Sequence, residues 1–179
     1  NDGTVWTVGN NDQGQLGQGD LTPLFSAIQV SGLANVVSVG ASEYSSYAIT
    51  STGELMVWGN NGSGQLGLND LNNRLSPAIS PLKKVRSVQG GANHTVFLTT
   101  KDEVFTAGGN TFGQLGTSDF FPRLVPTKIS ISGAKSISAG QYTSLILRED
   151  KSVFGCGNNV EDQLSLSLGF INSPEQITD

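Results

Sequence analysis

The 179-residue chain is 36% hydrophobic and only 14% charged, contains 23 glycines and carries a formal net charge of −5. So little charge with so much glycine excludes a mainly helical protein, because helices need charged outer faces and lose stability at each interior glycine. The acidic balance argues against direct nucleic-acid binding, which needs clustered Lys and Arg, and the single cysteine excludes an intrachain disulfide.

In chain order, Val5-Trp6-Thr7-Val8 leads to Gly9 and reads as a strand ending at the Asn10-Asn11 turn. Gly14-Gln15-Leu16-Gly17 follows as a tight turn, and Ile28 marks another short strand. Val36–Val39 and Ser46–Ile49 then read as strands, with a turn at Thr52-Gly53. After that turn Leu55–Trp58 runs to Gly59, ahead of Gly64-Gln65-Leu66-Gly67 and Ile79. The same succession returns as Val85–Val88, Thr95–Leu98, Lys101-Asp102, Val104–Gly108, Gly113-Gln114-Leu115-Gly116 and Ile129. A fourth round runs through Ala134–Ile137, Ser144–Leu147, Asp150-Lys151 and Val153–Gly157, then the altered loop Asp162-Gln163-Leu164-Ser165 and Ile177. The anchor glycines 9, 59, 108 and 157 thus recur every 49 or 50 residues.

Strands this short leave no room for crossover helices, so the sheets should be antiparallel, and four of them in each period make a propeller blade. The motif residues have structural reasons to be there. The anchor glycine admits a neighbouring backbone, and the asparagines cap the turn. The Gln bonds the loop's own peptide groups, and the Leu plugs the space between blades. The expected core comprises Trp6, Trp58, Phe105 and Phe154 with Leu16, Leu66, Leu115 and Leu164.

Val57-Trp58-Gly59-Asn60-Asn61, then Gly64-Gln65-Leu66-Gly67, then Gly91-Ala92-Asn93-His94 before an apolar strand, resembles the RCC1 (regulator of chromosome condensation) repeat family. The resemblance covers nearly the whole chain. It implies an all-β fold of four-stranded antiparallel blades, with about half of a seven-bladed β-propeller in this stretch. The divisions expected are a partial blade 1–32, blades 33–81 and 82–130, and a degenerate blade 131–179, together a fragment of a longer propeller. Either further blades or a second copy would complete it.

The resemblance points to two functions. One is a non-catalytic scaffold for protein–protein interaction. The other is guanine-nucleotide exchange on a small GTPase, which in the family depends on a projecting hairpin wedge and an acidic-leaning loop surface. The even spacing leaves no room for such a hairpin inside this stretch. The partner expected is another protein, with a small GTPase as one candidate, or a further part of a larger assembly.

Candidates for chemistry are few. His94 is the only histidine and aligns with Ser45 and Thr143, so it reads as architectural; Cys156 aligns with Val8, Trp58 and Ala107 and reads as a buried apolar stand-in. No catalytic residue, metal site or cofactor is expected. Lys83-Lys84-Val85-Arg86 reads as a solvated basic turn, and the Asn61 and Asn93 sequons as chance matches. No apolar run reaches the roughly 18 residues of a membrane span, so no membrane partner is expected. The chain opens on Asn1 and its one methionine is Met56, so it reads as cut from something longer. An intracellular, cytoplasmic setting is expected, with nuclear, ciliary and mitochondrial ones as alternatives.

The expected contact surface lies in the third repeat. Phe112 stands where the sister loops have Gln13, Ser63 and Glu161, and the blade itself has no evident need of it. Phe120 and Phe121 follow Asp119, where the first two repeats have Asp20-Leu21 and Asp70-Leu71. The residues expected to meet a partner are therefore Phe112, Asp119, Phe120 and Phe121. In the fourth repeat, Asp162 and Ser165 replace glycines, so the loop 160–168 is expected to change conformation or become mobile.

Overall fold

Short strands joined by glycine and asparagine turns have one economical solution, the antiparallel meander, and the chain uses it throughout. The computed structural model describes residues 2–178. β1 (Trp6–Gly9) and β2 (Leu24–Gln29) form a two-stranded sheet. A four-stranded sheet follows from β3 (Val36–Ala41), β4 (Ser45–Thr50), β5 (Glu54–Gly59) and β6 (Arg74–Lys83). The next comprises β7 (Val85–Gly90), β8 (His94–Thr99), β9 (Val104–Gly108) and β10 (Arg123–Lys128). The last holds β11 (Ala134–Ala139), β12 (Thr143–Arg148), β13 (Val153–Asn159) and β14 (Gly169–Ile177). Within each sheet consecutive strands are neighbours, and β1 and β2 correspond to the third and fourth strands of the complete blades.

The anchor glycines show why the period is strict. Gly59, Gly108 and Gly157 pair with Ser45, His94 and Thr143 on the second strand of their own blades. A Cβ on each would lie 2.9, 2.8 and 2.8 Å from the partner's Cα, and φ at all three is positive. Both the approach and the backbone angle demand glycine.

The core lies between sheets rather than within them. Val5 and Val30 of the first blade pack with Leu33, Ala48 and Trp58 of the second. Tyr47, Ile49, Leu55, Val57 and Leu66 of the second meet Val85, Val88, Phe97 and Ala107 of the third. Val96, Leu98, Val104 and Ile129 of the third meet Ala134, Ile137 and Ile146 of the fourth. Each blade therefore depends on its neighbour to bury its apolar face.

The expected core is largely found, with one correction. Trp58 and the four loop leucines are buried, whereas Phe105 and Phe154 are half-buried. Trp6 is 59% exposed, its indole N–H donating to the Thr4 hydroxyl. Trp6 occupies the same place on its strand as Met56, Phe105 and Phe154, which are shielded in complete sheets. β1 has only β2 beside it among the described residues, so its indole stays in water.

Leu66→Ala and Leu115→Ala should each lower stability by about 2–5 kcal/mol, because each empties a fully buried space. Trp6→Ala should change it by under about 1 kcal/mol. Urea unfolding of the three variants checks both statements.

Candidate interaction surface

The loop joining the third and fourth strands is built alike in every blade. The buried side chains of Asn11, Asn61, Asn110 and Asn159 accept the N–H of Leu16, Leu66, Leu115 and Leu164 at 2.7–3.0 Å. Their amide groups donate across the loop to the carbonyls of Asp20, Asp70, Asp119 and Ser167. Gln15, Gln65, Gln114 and Gln163 each accept, through Oε1, the N–H of the residue two earlier. Asn and Gln suit this work because each amide offers both a donor and an acceptor.

The same loop holds the next blade. The backbone carbonyls of Gln15, Gln65 and Gln114 accept the hydroxyls of Ser46, Thr95 and Ser144 at 2.8, 2.8 and 2.7 Å. The N–H groups of Gly19, Asn69 and Ser118 donate to the carbonyls of Leu75, Leu124 and Asn172 on the next blade's fourth strand. A Cβ at Gly14, Gly64 or Gly113 would lie 3.0, 3.2 or 2.6 Å from the Cα of those same residues. Glycine is thus what lets the loop touch the neighbouring strand.

The joints differ at the loop tip, and there Phe112 finds its role. Between the first two blades, Gln13 accepts hydrogen bonds from Asn60 and Asn73 at 3.0 and 2.9 Å. Between the last two, Phe112 occupies the equivalent place and Phe170 that of Asn73. The Phe112 ring lies 4.8 Å from Tyr142 and 5.1 Å edge-on from Phe170. An aromatic joint has replaced a polar one. The expectation that the blade has no need of Phe112 is therefore corrected: its ring is half-buried and holds two blades together.

Asp119 is equally committed. Its carboxylate accepts the Phe121 N–H and the Thr117 hydroxyl and pairs with Arg123. Partial desolvation raises its pKa, but these donors outweigh that and hold the carboxyl below its usual range. Asp119 thereby fixes the backbone that carries Phe120 and Phe121, which are exposed rather than folded back on the blade.

The other candidates prove structural. Ser144 gives its hydroxyl hydrogen to Gln114, so His94 must donate to it from Nε2, at 3.0 Å, and Nδ1 is left bare and buried without a partner. Burial pushes the His94 pKa down to about 4 and the Cys156 thiol up to about 12. Both groups are neutral near pH 7. The basic turn is more than a solvated one. Arg86 donates to the carbonyls of Ala134 and Lys135 in the following blade and pairs with Asp102. Asn61 is buried and engaged, away from any modifying enzyme. Among the described residues no group of three or more His, Cys, Asp or Glu could hold a metal, and no helix is long and apolar enough to cross a membrane.

Of the two outcomes expected for the fourth loop, a changed conformation or raised mobility, the first is not seen in its opening turns, which keep the sister shape. Asp162 and Ser165 take φ of 56° and 50°, as the glycines do in the sister loops. The Asn159 and Gln163 bonds hold the shape, while the turn bonds lengthen to 3.3 and 3.2 Å from 2.8–3.0 Å elsewhere. The sequence change is absorbed as strain.

With this geometry in view, the comparisons with known proteins are consistent with one another. A family model described as the regulator of chromosome condensation (RCC1) repeat matches residues 2–49, 52–98 and 101–147. The ultraviolet-B receptor UVR8 of Arabidopsis thaliana is 32% identical over 96 residues, covering 51% of this chain and 22% of the receptor. Human alsin is 43% identical over 89 residues, covering 48% of this chain and 5% of alsin. The regulator of chromosome condensation of Drosophila melanogaster is 33% identical over 96 residues, covering 50% of this chain and 18% of that protein. Each match therefore takes in less than a quarter of the relative. Among solved structures, human WBSCR16 superposes with a TM-score of 0.87 at 24% identity, over 100% of this chain and 49% of that one. Prp20p of Saccharomyces cerevisiae does so with 0.85 at 21% identity, over 98% and 46%. These likenesses are of fold, and they make the three and a half blades about half of such a propeller.

Two outcomes are expected. Because the folded His94 pKa lies below its unfolded value near 6.5, stability is intact above pH 6.5 and falls by roughly 3 kcal/mol as pH drops toward 4. His94→Ser should remove that part of the pH profile in thermal melts. Asp162→Gly and Ser165→Gly should each stabilise the fold by about 1 kcal/mol by relieving the left-handed strain, measured by denaturant unfolding.

Proposed function

The chain belongs to the RCC1 repeat family, and on that premise we propose that it is a non-catalytic module for protein–protein interaction, with blade three as its contact region. The observation that carries this reading is the pair Phe120 and Phe121. Both are exposed, on a loop whose backbone is tied down by Asn110, Asp119 and Arg123. Rigid, exposed aromatics lose little entropy on binding and often anchor interfaces. Phe112 supports them from the joint, and Asp119 acts by holding the loop rather than by meeting the partner.

We read the region 1–179 as part of a longer propeller, divided at 32, 81 and 130. Further blades or a second copy would complete it. An intracellular setting accords with the single buried thiol.

The second reading is nucleotide exchange on a small GTPase. Its support is the fold shared with Prp20p, whose structure was reported with its binding to Gsp1p and histones. Shared fold alone does not carry an activity. A purified chain that sped the release of fluorescent guanine nucleotide from a small GTPase would move the assignment to this reading.

The test of the first reading compares wild type with Phe120→Ser/Phe121→Ser and with the control Ile79→Ser, an exposed apolar residue on β6. Immobilised proteins are exposed to a cell extract and the retained proteins identified. A partner retained by wild type and control, and reduced about tenfold or more by the double variant, is expected. Identical retention by all three would overturn the proposal.

A further inference from the structure

Aligned by their shared hydrogen bonds, the four loops place Leu21, Leu71, Phe120 and Leu168 at one equivalent position. Each directly follows the residue whose carbonyl receives the loop asparagine: Asp20, Asp70, Asp119 and Ser167. The four side chains are 51%, 54%, 46% and 72% exposed and belong to none of the buried apolar clusters. The hydrogen bonds that define the loop come from its backbone and from its Asn, Gln and Asp side chains, and none of them involves the side chain at this position. An exposed apolar side chain that returns in every blade without an internal role marks a surface meant to be covered.

The charges around it identify the cover. The meander sends these loops, and those joining first to second strands, to one end of every sheet. That end carries Asp12, Asp20, Glu43, Asp70, Asp119, Glu161 and Asp162. Among the described residues its only cations are Arg74 and Arg123, paired with Asp70 and Asp119 respectively. All six lysines lie at the opposite ends of the strands or in the turns there. A second copy offering the same end would meet like charge, and so would a nucleic-acid backbone.

We propose that Leu21, Leu71, Phe120 and Leu168 form one docking arc for a lysine- or arginine-rich polypeptide segment that carries apolar side chains. Its apolar residues cover the arc, and its cations face the unpaired carboxylates between blades. This rests on the interaction reading above and deepens it, since it extends the surface beyond blade three and names the partner's chemistry.

The test uses the full chain and a fluorescent synthetic peptide of alternating lysine and leucine, with binding followed by anisotropy. A peptide of alternating glutamate and leucine and one of alternating lysine and serine serve as comparisons. The Lys–Leu peptide should bind at least about tenfold more tightly than either, and more weakly as salt rises. Leu21→Ser/Leu71→Ser/Leu168→Ser, which leaves Phe120 in place, should weaken that binding by about tenfold or more, while Ile79→Ser leaves it unchanged. If the triple variant melts early, single Leu71→Ser and Leu168→Ser variants give the same reading. Equal binding of all peptides, or wild-type binding by the leucine variants, overturns the arc. So does a wild-type dimer that the triple variant abolishes, because it assigns the surface to a second copy. If the triple variant binds the peptide as tightly as wild type while the chain still retains a partner that Phe120→Ser/Phe121→Ser releases, the arc falls and the interaction reading stands.

Discussion

Gln15, Gln65 and Gln114 each turn a backbone carbonyl toward the following blade, and a Ser or Thr hydroxyl of its second strand donates to it. Everything else at the joints is arranged around this bond. The loop must come near enough to offer the carbonyl, which requires glycines where it crosses the neighbouring strand. It must also hold its shape while doing so, which the buried asparagine and the glutamine side chain secure. The Leu between those glycines then closes the space that remains. Because no sheet buries its apolar face alone, losing a joint exposes core on both sides of it, so blades and joints stabilise each other.

The joints are equivalent in their hydroxyl–carbonyl bond and free to vary around it. At the second joint the Thr95 hydroxyl also meets the Tyr47 phenol at 2.7 Å, whereas at the third His94 takes that place beside Ser144. At the first, the Trp58 indole donates to the same Gln15 carbonyl that Ser46 reaches. The tip varies too, polar at the first joint and aromatic at the third. A fold whose specificity rests on backbone bonds tolerates such exchange. That tolerance frees the outward loop positions to serve a partner, whereas His94 and Cys156, placed inside the joints, are kept neutral by burial.

Charge follows the same geometry. A meander with odd and even turns at opposite ends can segregate residues by face without any effect on the core. Here the carboxylates are shared between the two ends, while all the lysines collect away from the glutamine loops, so those loops keep a net negative charge. Arg86 shows that the lysine-bearing end is itself structural, since its guanidinium bridges to the backbone of the fourth blade and leaves less of that end free for partners.

The sequence by itself determined the blade: the 49–50-residue period, the antiparallel strands, the glycine approach at 59, 108 and 157, and the roles of Asn, Gln and Leu in the loop. Those features obey local rules of turn chemistry and side-chain alternation that repeat in every period, so they are legible without neighbours. Only the tertiary structure decided what Phe112, Trp6, Arg86 and Asp162 do. Phe112 is explained by Tyr142 and Phe170 in another blade, and Arg86 by carbonyls 48 and 49 residues away. Trp6 is exposed because β1 has only β2 beside it among the described residues, and Asp162 keeps a glycine's conformation because Asn159 and Gln163 hold the loop around it. The exposed arc shared the same fate. Leu21 and Leu71 look ordinary as residues in a chain, and their common exposure comes into view only once four loops stand side by side at one end of the sheets.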